Sequence, residues 1–200
     1  MDIIKRADGI CIKVYSLLRL TILPIEKIDE IVPKKGRMVD YGSGFGITSC
    51  YLALSSKKRS MVGIEYSKKR VKKAKVISAG IKNLRFRVGD VSKINGLNAD
   101  AHLLIDILHH MAYGSQIRLL NGIIKKMRKN DLVIIKEIGK RPFLKYLWNY
   151  LHDKLMTLDE GLYFRGQKWF QNFLESRGLK TQTVRCENML YPHFLLIARR

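Results

Sequence analysis

The chain has 200 residues and a mass of 23.2 kDa, which allows one domain of ordinary size. Its 46% hydrophobic and 28% charged residues are typical of a globular protein and exclude disorder along the whole chain. The 38 Lys and Arg against 17 Asp and Glu give a net charge of +21, which favours a phosphate-rich partner: nucleic acid, an anionic lipid surface or a polyanionic substrate.

Cysteine usage and hydropathy bear on the cellular compartment. Cys11, Cys50 and Cys186 lie far apart and form no CxxC pair, which argues against a disulfide framework or a zinc site and favours a reducing cytoplasm. No apolar run reaches the roughly 18 residues of a transmembrane helix, and the first residues lack the long apolar core of a signal peptide. We therefore expect a cytoplasmic protein, with peripheral contact to a membrane as a further hypothesis.

Positive charge is concentrated between residues 57 and 87, which hold twelve Lys or Arg and a single acid, Glu65. Such a cluster binds phosphate groups of a partner when it forms one surface. The alternative is a solvated face that reflects only a lysine-rich proteome, and the sequence leaves both open.

Predicted helices and strands follow one another along the chain. Residues 3–31 have the apolar spacing of one or two amphipathic helices with a break at Pro24, and the apolar positions are Ile4, Val14, Leu17, Leu18 and Ile22. Strands are predicted at 37–41, 60–65, 84–88, 101–105 and 132–136, with helices between them at 47–54, 67–79 and 115–128. The last of these helices should bury Leu119, Leu120, Ile123, Ile124 and Met127. This alternation predicts right-handed crossovers and a parallel sheet.

The C-terminal part departs from this alternation. A helix rich in aromatic residues is predicted at 142–156, a loop at 157–166 and a further helix at 167–177. Strands at 180–187 and 193–199 are joined by a connection too short for a crossover, so they should form an antiparallel hairpin. The predicted fold is α/β: a Rossmann-like, doubly wound, seven-stranded sheet with a C-terminal antiparallel hairpin.

We expect this fold to form a single domain over residues 1–200. Its parts are an N-terminal helical extension at 1–35, a core at 36–137, an insert at 138–166, and a C-terminal helix with the hairpin at 167–200.

A loop with glycines at alternate positions, Gly42, Gly44 and Gly46, follows Asp40 at the end of the first predicted strand. Glycines allow a sharp turn and a close approach of a ligand to the backbone. The spacing differs from the GxGxxG of dinucleotide-binding folds and from a P-loop. Glu65 ends the second strand, where a carboxylate can accept both hydroxyls of a ribose, and Asp90 follows the third, where it can accept from an adenine amino group. The carboxyl edge of an open parallel sheet is where such folds bind ligands.

Several segments together resemble the class I S-adenosylmethionine (SAM)-dependent methyltransferases: VDYGSGFG, VGIEYS, FRVGDV, LLIDILHHM and NDLVIIKE. The resemblance covers about residues 36–137 and the terminal hairpin, and it implies SAM as cofactor and S-adenosylhomocysteine (SAH) as product. The implied cofactor-binding residues are Asp40, Gly42, Ser43, Gly44, Gly46, Glu65, Tyr66, Asp90, Val91 and Asp106. The alternative for Asp90 and Asp106 is that they only cap the helices that follow.

Methyl transfer from a sulfonium needs alignment of the acceptor and exclusion of water, and it needs a base only when the acceptor is a hydroxyl or a carbon acid. The candidate catalytic residues are His110 and His109, after the fourth strand, and His193, at the start of the last. The alternative is that these histidines pack in the core or bond a backbone carbonyl. No metal is expected.

The insert at 138–166 is predicted to select the substrate, either as a lid or as a helix in a membrane interface. Candidate substrate-binding residues are Tyr146, Tyr150, Tyr163, Arg165 and Tyr191. Arg165 can hold an anionic group, and the alternative is an ordinary surface arginine.

These features predict a SAM-dependent methyltransferase acting on a small-molecule or lipid-like acceptor at an anionic membrane surface. The fourth-strand segment lacks the sequence of adenine amine methyltransferases, and no cysteine occupies the loops used for cytosine methylation. The alternatives are an RNA methyltransferase that uses the basic surface and a non-catalytic SAM-binding protein.

Overall fold

A computed structural model describes residues 2–6, 10–138, 161–185 and 193–200 of the chain. The predicted helix at 142–156, with Tyr146 and Tyr150, lies outside the described residues, as does Tyr191. Among the described residues, no helix combines the length and the apolar character needed to cross a membrane.

The helices and strands alternate much as predicted from residue 36 onwards. The helices are α1 (Asp2–Arg6), α2 (Ile10–Ile22), α3 (Ile25–Ile31), α4 (Ile47–Ser55), α5 (Lys68–Ile77), α6 (Tyr113–Lys126) and α7 (Gln167–Glu175). The strands are β1 (Gly36–Tyr41), β2 (Arg59–Glu65), β3 (Leu84–Val88), β4 (Ala101–Ile105), β5 (Leu132–Ile138), β6 (Lys180–Arg185) and β7 (His193–Arg199). Short 3-10 turns occur at Val91–Lys93 and Leu108–His110.

The strands form one seven-stranded sheet in the order β3-β2-β1-β4-β5-β7-β6. Strand β1 pairs with β2, and β2 with β3, in parallel. Strand β7 pairs antiparallel with both β5 and β6. The predicted seven-stranded α/β sheet with an antiparallel C-terminal hairpin is therefore confirmed.

The first of two compact units comprises Met1–Val91 and Ala99–Leu103. Its core contains buried side chains from β1 and β2, such as Met38, Val39 and Met61, which α4 and α5 cover on one side. Helix α5 begins after Ser67, whose side chain accepts a hydrogen bond from the backbone N–H of Arg70. This cap explains why the helix starts there.

Arg59, one of the cations in the basic segment 57–87, is buried, with only 1% of its surface exposed. Its guanidinium pairs with the carboxylate of Asp29 and donates to the carbonyl oxygens of Val32 and Leu52 at 2.8 and 2.9 Å. Its Nε donates to the carbonyl oxygen of Pro33 at 2.8 Å. Arg59 therefore joins α3 to β2 and does not belong to the exposed cationic surface.

The second unit comprises Ser92–Asn98 and Leu104–Arg200. The inner residues predicted for α6 are buried, which confirms the periodicity: Leu119, Leu120, Ile123, Ile124 and Met127. Gly96 lies so close to α6 that a Cβ atom there would be 2.4 Å from the carbonyl oxygen of Gly122. This contact requires glycine at position 96 and fixes the loop before β4 against the helix.

The N-terminal segment differs in part from the prediction. Pro24 separates α2 from α3, as expected, and the apolar positions predicted within α2 do not form a buried face. Val14, Leu17 and Leu18 are exposed, whereas Ser16 is buried. The helix packs on α4 and α1 through the opposite face, so helical periodicity correctly identifies a stripe but not the side that faces the protein.

Candidate active site

The glycine loop after β1 adopts a conformation that requires its glycines. Gly42, Gly44 and Gly46 have φ angles of 76°, 57° and 76°, in the left-handed region that other residues rarely adopt. The backbone N–H groups of Gly42 and Ser43 donate to the carbonyl oxygen of Ile64 at 2.8 and 2.9 Å. A Cβ atom at Gly46 would also lie 2.3 Å from the ring of Phe86. The loop therefore turns sharply back towards β2 and ends at Gly46, directly before the first residue of α4.

Asp40 lies buried beneath this loop. Its Oδ2 accepts a hydrogen bond of 2.5 Å from Ser49 Oγ on α4. Burial raises the pKa of the Asp40 carboxyl from 3.8 to about 6, although the Ser49 hydrogen bond and the charge of Arg19 favour the ionised form. The negative charge of Glu65 adds to the increase. A carboxyl with this pKa changes its protonation state close to neutral pH.

Glu65 ends β2 with both carboxylate oxygens directed at backbone N–H groups. Oε2 accepts from Gly44 at 3.0 Å and Oε1 accepts from Ser67 at 2.9 Å. Each carboxylate oxygen has a second lone pair, so the pair of oxygens retains the capacity to accept from two hydroxyl groups. The Gly89 N–H also donates to the Glu65 carbonyl oxygen at 3.0 Å, which brings the end of β3 and the neighbouring Asp90 to the same edge.

This part of the first unit fits a polar ligand. Ser43 Oγ is buried and has no hydrogen-bond partner among the described residues. A Cβ atom at Gly44 would meet no described atom within 4 Å, so the peptide at this position faces open space. Tyr66, next to Glu65, is 73% exposed. A hydroxyl donor and an accessible backbone in the glycine loop thus lie next to the carboxylate at the end of β2, as a cofactor with ribose and amino-acid groups requires.

In the second unit, His109 and Glu137 form a buried pair. His109 Nδ1 lies 2.5 Å from Glu137 Oε2, and Glu137 Oε1 accepts the backbone N–H of Leu108 at 2.8 Å. The His109 ring stacks on Phe164 with centroids 5.0 Å apart and planes at 8°. An ionised carboxylate only accepts hydrogen bonds, so Nδ1 is the donor and Nε2 is the basic nitrogen of this tautomer.

Gln116 on α6 joins the 3-10 turn to the segment 161–166. Its Nε2 lies 2.9 Å from the carbonyl oxygens of Leu108, Met111 and Tyr163. The Tyr163 N–H donates to the His109 carbonyl oxygen at 2.8 Å. These contacts hold the aromatic residues of 163–164 against the His109 turn.

Arg165 is fixed by the same network. Its Nε donates to Gln116 Oε1 at 3.0 Å, and its guanidinium lies over the rings of Trp169 and Tyr113 at 3.6 and 4.4 Å. Burial lowers the pKa of the Arg165 guanidinium from its usual value, although it remains a strong base. Gln116 and the two aromatic rings thus hold the guanidinium in one place.

Asp106 forms an ion pair at the end of β4. Lys136 Nζ donates to Asp106 Oδ1 at 2.6 Å, and only 1% of the lysine side chain is exposed. Asp106 has a φ of 52°, which aspartate tolerates better than most residues. The backbone N–H of Asp106 also donates to the Lys136 carbonyl oxygen at 2.9 Å. The two residues are therefore held together both by this backbone hydrogen bond and by the ion pair of their side chains.

The comparison with protein families identifies the domain. A family model described as a methyltransferase domain matches residues 33–173, more than two thirds of the chain. The chain belongs to this methyltransferase family. The family and the fold predicted from the glycine loop and the strand-end acids are therefore confirmed, as is the prediction of a methyltransferase at the level of the family.

Solved structures show the same fold for the methyltransferase domain. Human N-acetylserotonin methyltransferase in complex with SAM matches with a TM-score of 0.71 and 20% identity over 94% of this chain and 53% of that one. An O-methyltransferase family 2 protein from Planctomyces limnophilus in complex with apigenin matches with a TM-score of 0.70 and 15% identity, over 88% and 56%. Magnesium protoporphyrin IX methyltransferase from Synechocystis with bound SAH matches with a TM-score of 0.69 and 19% identity, over 88% and 81%. The chain thus spans a little over half the length of the first two structures. Among curated proteins, no sequence matches it.

The structure of the methyltransferase domain assembles most of the predicted site residues into two groups, one in each unit. The glycine loop, Asp40, Glu65 and the segment of Asp90 and Val91 belong to the first. His110 has its ring centroid 4.1 Å from that of His109 in the second, and His193 begins β7, paired with Ile138.

Sequence reasoning missed Glu137, Lys136 and Gln116. The first two are charged residues at the end of the apolar β5 run, where each needs a buried partner, and this was the available signal. Gln116 lies within an ordinary helical pattern, and nothing in the sequence distinguishes it.

Proposed function

We propose that this methyltransferase domain binds SAM and transfers its methyl group to a hydroxyl oxygen of a small-molecule acceptor. Membership of the family supports the reaction class. One of the similar structures is an O-methyltransferase family protein, and SAM or SAH is bound in two others. The observation that carries the choice of a hydroxyl acceptor is the buried contact between His109 and Glu137.

The cofactor is proposed to bind at the glycine loop. Ser43 Oγ and the exposed backbone of Gly44 would contact its amino-acid part, Glu65 its ribose, and Asp90 its adenine, with Tyr66 and Val91 beside the base. SAM supplies a methyl group already activated on a sulfonium, so the protein need not activate it. Asp40 and Asp106 remain proposed cofactor contacts, and each is oriented by a hydrogen-bonded neighbour, Ser49 or Lys136.

His109 is proposed as the general base. Glu137 holds the proton on Nδ1 and so keeps Nε2 in the form that accepts a proton from the acceptor hydroxyl. As the proton arrives, the adjacent carboxylate stabilises the imidazolium. The Leu108 N–H and the Phe164 ring fix the orientation of carboxylate and imidazole, respectively. A non-catalytic SAM-binding protein has no need of this arrangement.

Arg165 is proposed to bind an anionic group of the acceptor, with Tyr163 beside it. Gln116, Trp169 and Tyr113 fix the guanidinium in advance, so little side-chain entropy is lost when an anion binds. An acceptor with a carboxylate or phosphate group would satisfy this cation. We also propose that the acceptor is lipid-like and that it is presented at an anionic membrane surface, in accordance with the net charge of +21.

An RNA methyltransferase is the second candidate. The exposed cations of α5, Lys68, Lys69, Lys72 and Lys75, favour it because they can contact successive phosphates. RNA binding through such contacts would weaken steeply as the salt concentration rises, and retention on RNA at two salt concentrations tests this candidate.

Calorimetric titration of SAH into the wild type and two variants tests the proposed cofactor site. Glu65→Ala should weaken binding by about 1–3 kcal/mol, because a charged hydrogen-bond acceptor is lost. Glu26→Ala, which removes an exposed carboxylate of α3, should bind as the wild type does. A folded wild type that does not bind SAH would contradict the proposed function.

A further inference from the structure

The outer face of α2 presents an unusual apolar surface. Val14, Leu17 and Leu18, here called the α2 stripe, are 53%, 54% and 54% exposed. Their spacing of i, i+3 and i+4 places them side by side along one face of the helix. Large apolar side chains that are exposed together, rather than singly, indicate a contact surface.

The inner face of α2 is anchored to the first unit. The ring of Tyr15 packs edge-on against Phe45 of the glycine loop, with centroids 5.0 Å apart. Ser16 is fully buried, and the positive charge of Arg19 is close enough to Asp40 to oppose the rise that burial causes in the pKa of that carboxyl. Because the opposite face of α2 packs against the first unit, the α2 stripe is held facing outward.

The charges around the stripe identify its partner. Helix α2 contains Lys13 and Arg19 but no acidic residue. Lys13 is exposed beside Val14 and one turn before Leu17. Lys13 is therefore the cation of α2 that lies beside the stripe.

A second copy of the chain would bring like charges together, because the protein carries a net charge of +21. An anionic lipid surface instead attracts the cations and accepts apolar side chains below the headgroups. An amphipathic helix lies in such an interface with its apolar face buried by roughly 5–10 Å. Apolar side chains flanked by lysine match this chemistry.

We infer that α2 docks the protein on an anionic lipid surface, with Val14, Leu17 and Leu18 inserted between the lipids and Lys13 at the headgroups. The inference rests on the membrane contact of the proposed function and assigns that contact to one surface of the protein. It does not depend on the methyl-transfer reaction. Because α2 also contacts the glycine loop through Tyr15, docking holds the loop beside the lipid surface.

Flotation with two kinds of vesicle tests the inference: phosphatidylcholine alone, and equal parts of phosphatidylcholine and phosphatidylglycerol. The wild type should float only with the anionic vesicles. The double variant Leu17→Gln and Leu18→Gln should bind them about tenfold to a hundredfold more weakly, because two partly buried leucine contacts are lost. Glutamine retains helix propensity, and both sites are half exposed, so the fold is retained.

The matched control is Leu54→Gln with Val76→Gln, which removes exposed apolar side chains from α4 and α5. The control should float as the wild type does. Equal flotation of the α2 variant and the wild type would overturn the assignment to α2, and no flotation of the wild type would overturn the membrane contact itself. Dimerisation that the α2 variant abolishes, measured by sedimentation without lipid, would identify a second copy as the partner and overturn the inference. SAH titration of each variant separates these outcomes from a failure of the proposed reaction, since neither pair of sites is among the residues proposed to hold the cofactor.

Discussion

His109 Nδ1 lies 2.5 Å from Glu137 Oε2, and the two side chains are equally buried. This relationship joins the turn after β4 to the end of β5. It fixes both the tautomer and the orientation of the imidazole, the two properties on which a general base depends.

Replacing Glu137 by Gln should lower turnover with a hydroxyl acceptor about a hundredfold to ten-thousandfold, the usual range for loss of general-base catalysis. The amide keeps a side chain of similar size but cannot stabilise the imidazolium. SAH affinity, measured by calorimetry, should remain that of the wild type because Glu137 is not among the residues proposed to hold the cofactor.

Alanine variants of the two adjacent histidines separate their roles. His109→Ala should lose turnover as Glu137→Gln does, whereas His110→Ala should retain much more of it. The opposite order would assign the base to His110, the other candidate of this turn.

Asp40→Asn should change the pH dependence of stability. Below pH 3.8 the carboxyl is neutral in the folded and unfolded states, and its contribution to stability is fully present. As the pH rises through about 6, the folded protein must ionise a buried group and this contribution is lost. The asparagine variant should therefore match the wild type near pH 4 and exceed its free energy of unfolding by about 1–3 kcal/mol at pH 8.

Urea unfolding at the two pH values measures the Asp40 effect. Asp29→Asn is a control of opposite sign. Burial raises the pKa of Asp29, but the hydrogen bonds from Lys34, Ser55 and Arg59 and the charge of Arg59 outweigh it and lower the pKa to about 2. Its ionised form therefore stabilises the protein above pH 3.8, and this contribution disappears as the pH falls through 2. A difference for Asp40→Asn that did not vary with pH would contradict the assigned pKa.

Arg59→Met should destabilise the protein by about 3–5 kcal/mol, since it removes the buried cation that pairs with Asp29 and leaves several backbone carbonyl oxygens without their donor. The matched change at the neighbouring exposed position, Lys58→Met, should alter the free energy of unfolding by no more than about 0.5 kcal/mol. Thermal or urea unfolding distinguishes the two. Similar effects at both positions would show that Arg59 is not the junction of α3 and β2.

The Lys136 and Asp106 pair should show strong coupling in a double-mutant cycle. Lys136→Met alone should cost about 3–5 kcal/mol, because it leaves the Asp106 carboxylate without its closest cation. Combined with Asp106→Asn, the loss should be smaller than the sum of the single effects by about 1–3 kcal/mol. Additive effects would indicate that the two side chains stabilise the fold independently.

Local patterns in the sequence determined the strands, the glycine loop and the terminal hairpin. Each depends on residues close together in the chain: apolar runs of five to seven residues, glycines at alternate positions, and a connection too short for a crossover. Acids at successive strand ends were also predictable as neighbours, because parallel strands end at one edge of the sheet. Local sequence therefore suffices to name most residues of the proposed cofactor site.

Only the tertiary structure decided which charged groups are paired. His109 and Glu137 are 28 residues apart, and Arg59 and Asp29 are 30 apart, so neither pair has a local signature. Tertiary contacts also decide the direction of the α2 stripe. Helical periodicity places Val14, Leu17 and Leu18 on one face. The packing of Tyr15 and Ser16 on the opposite face then leaves this face exposed. Burial and pairing depend on contacts between distant segments, which form only when the chain has folded.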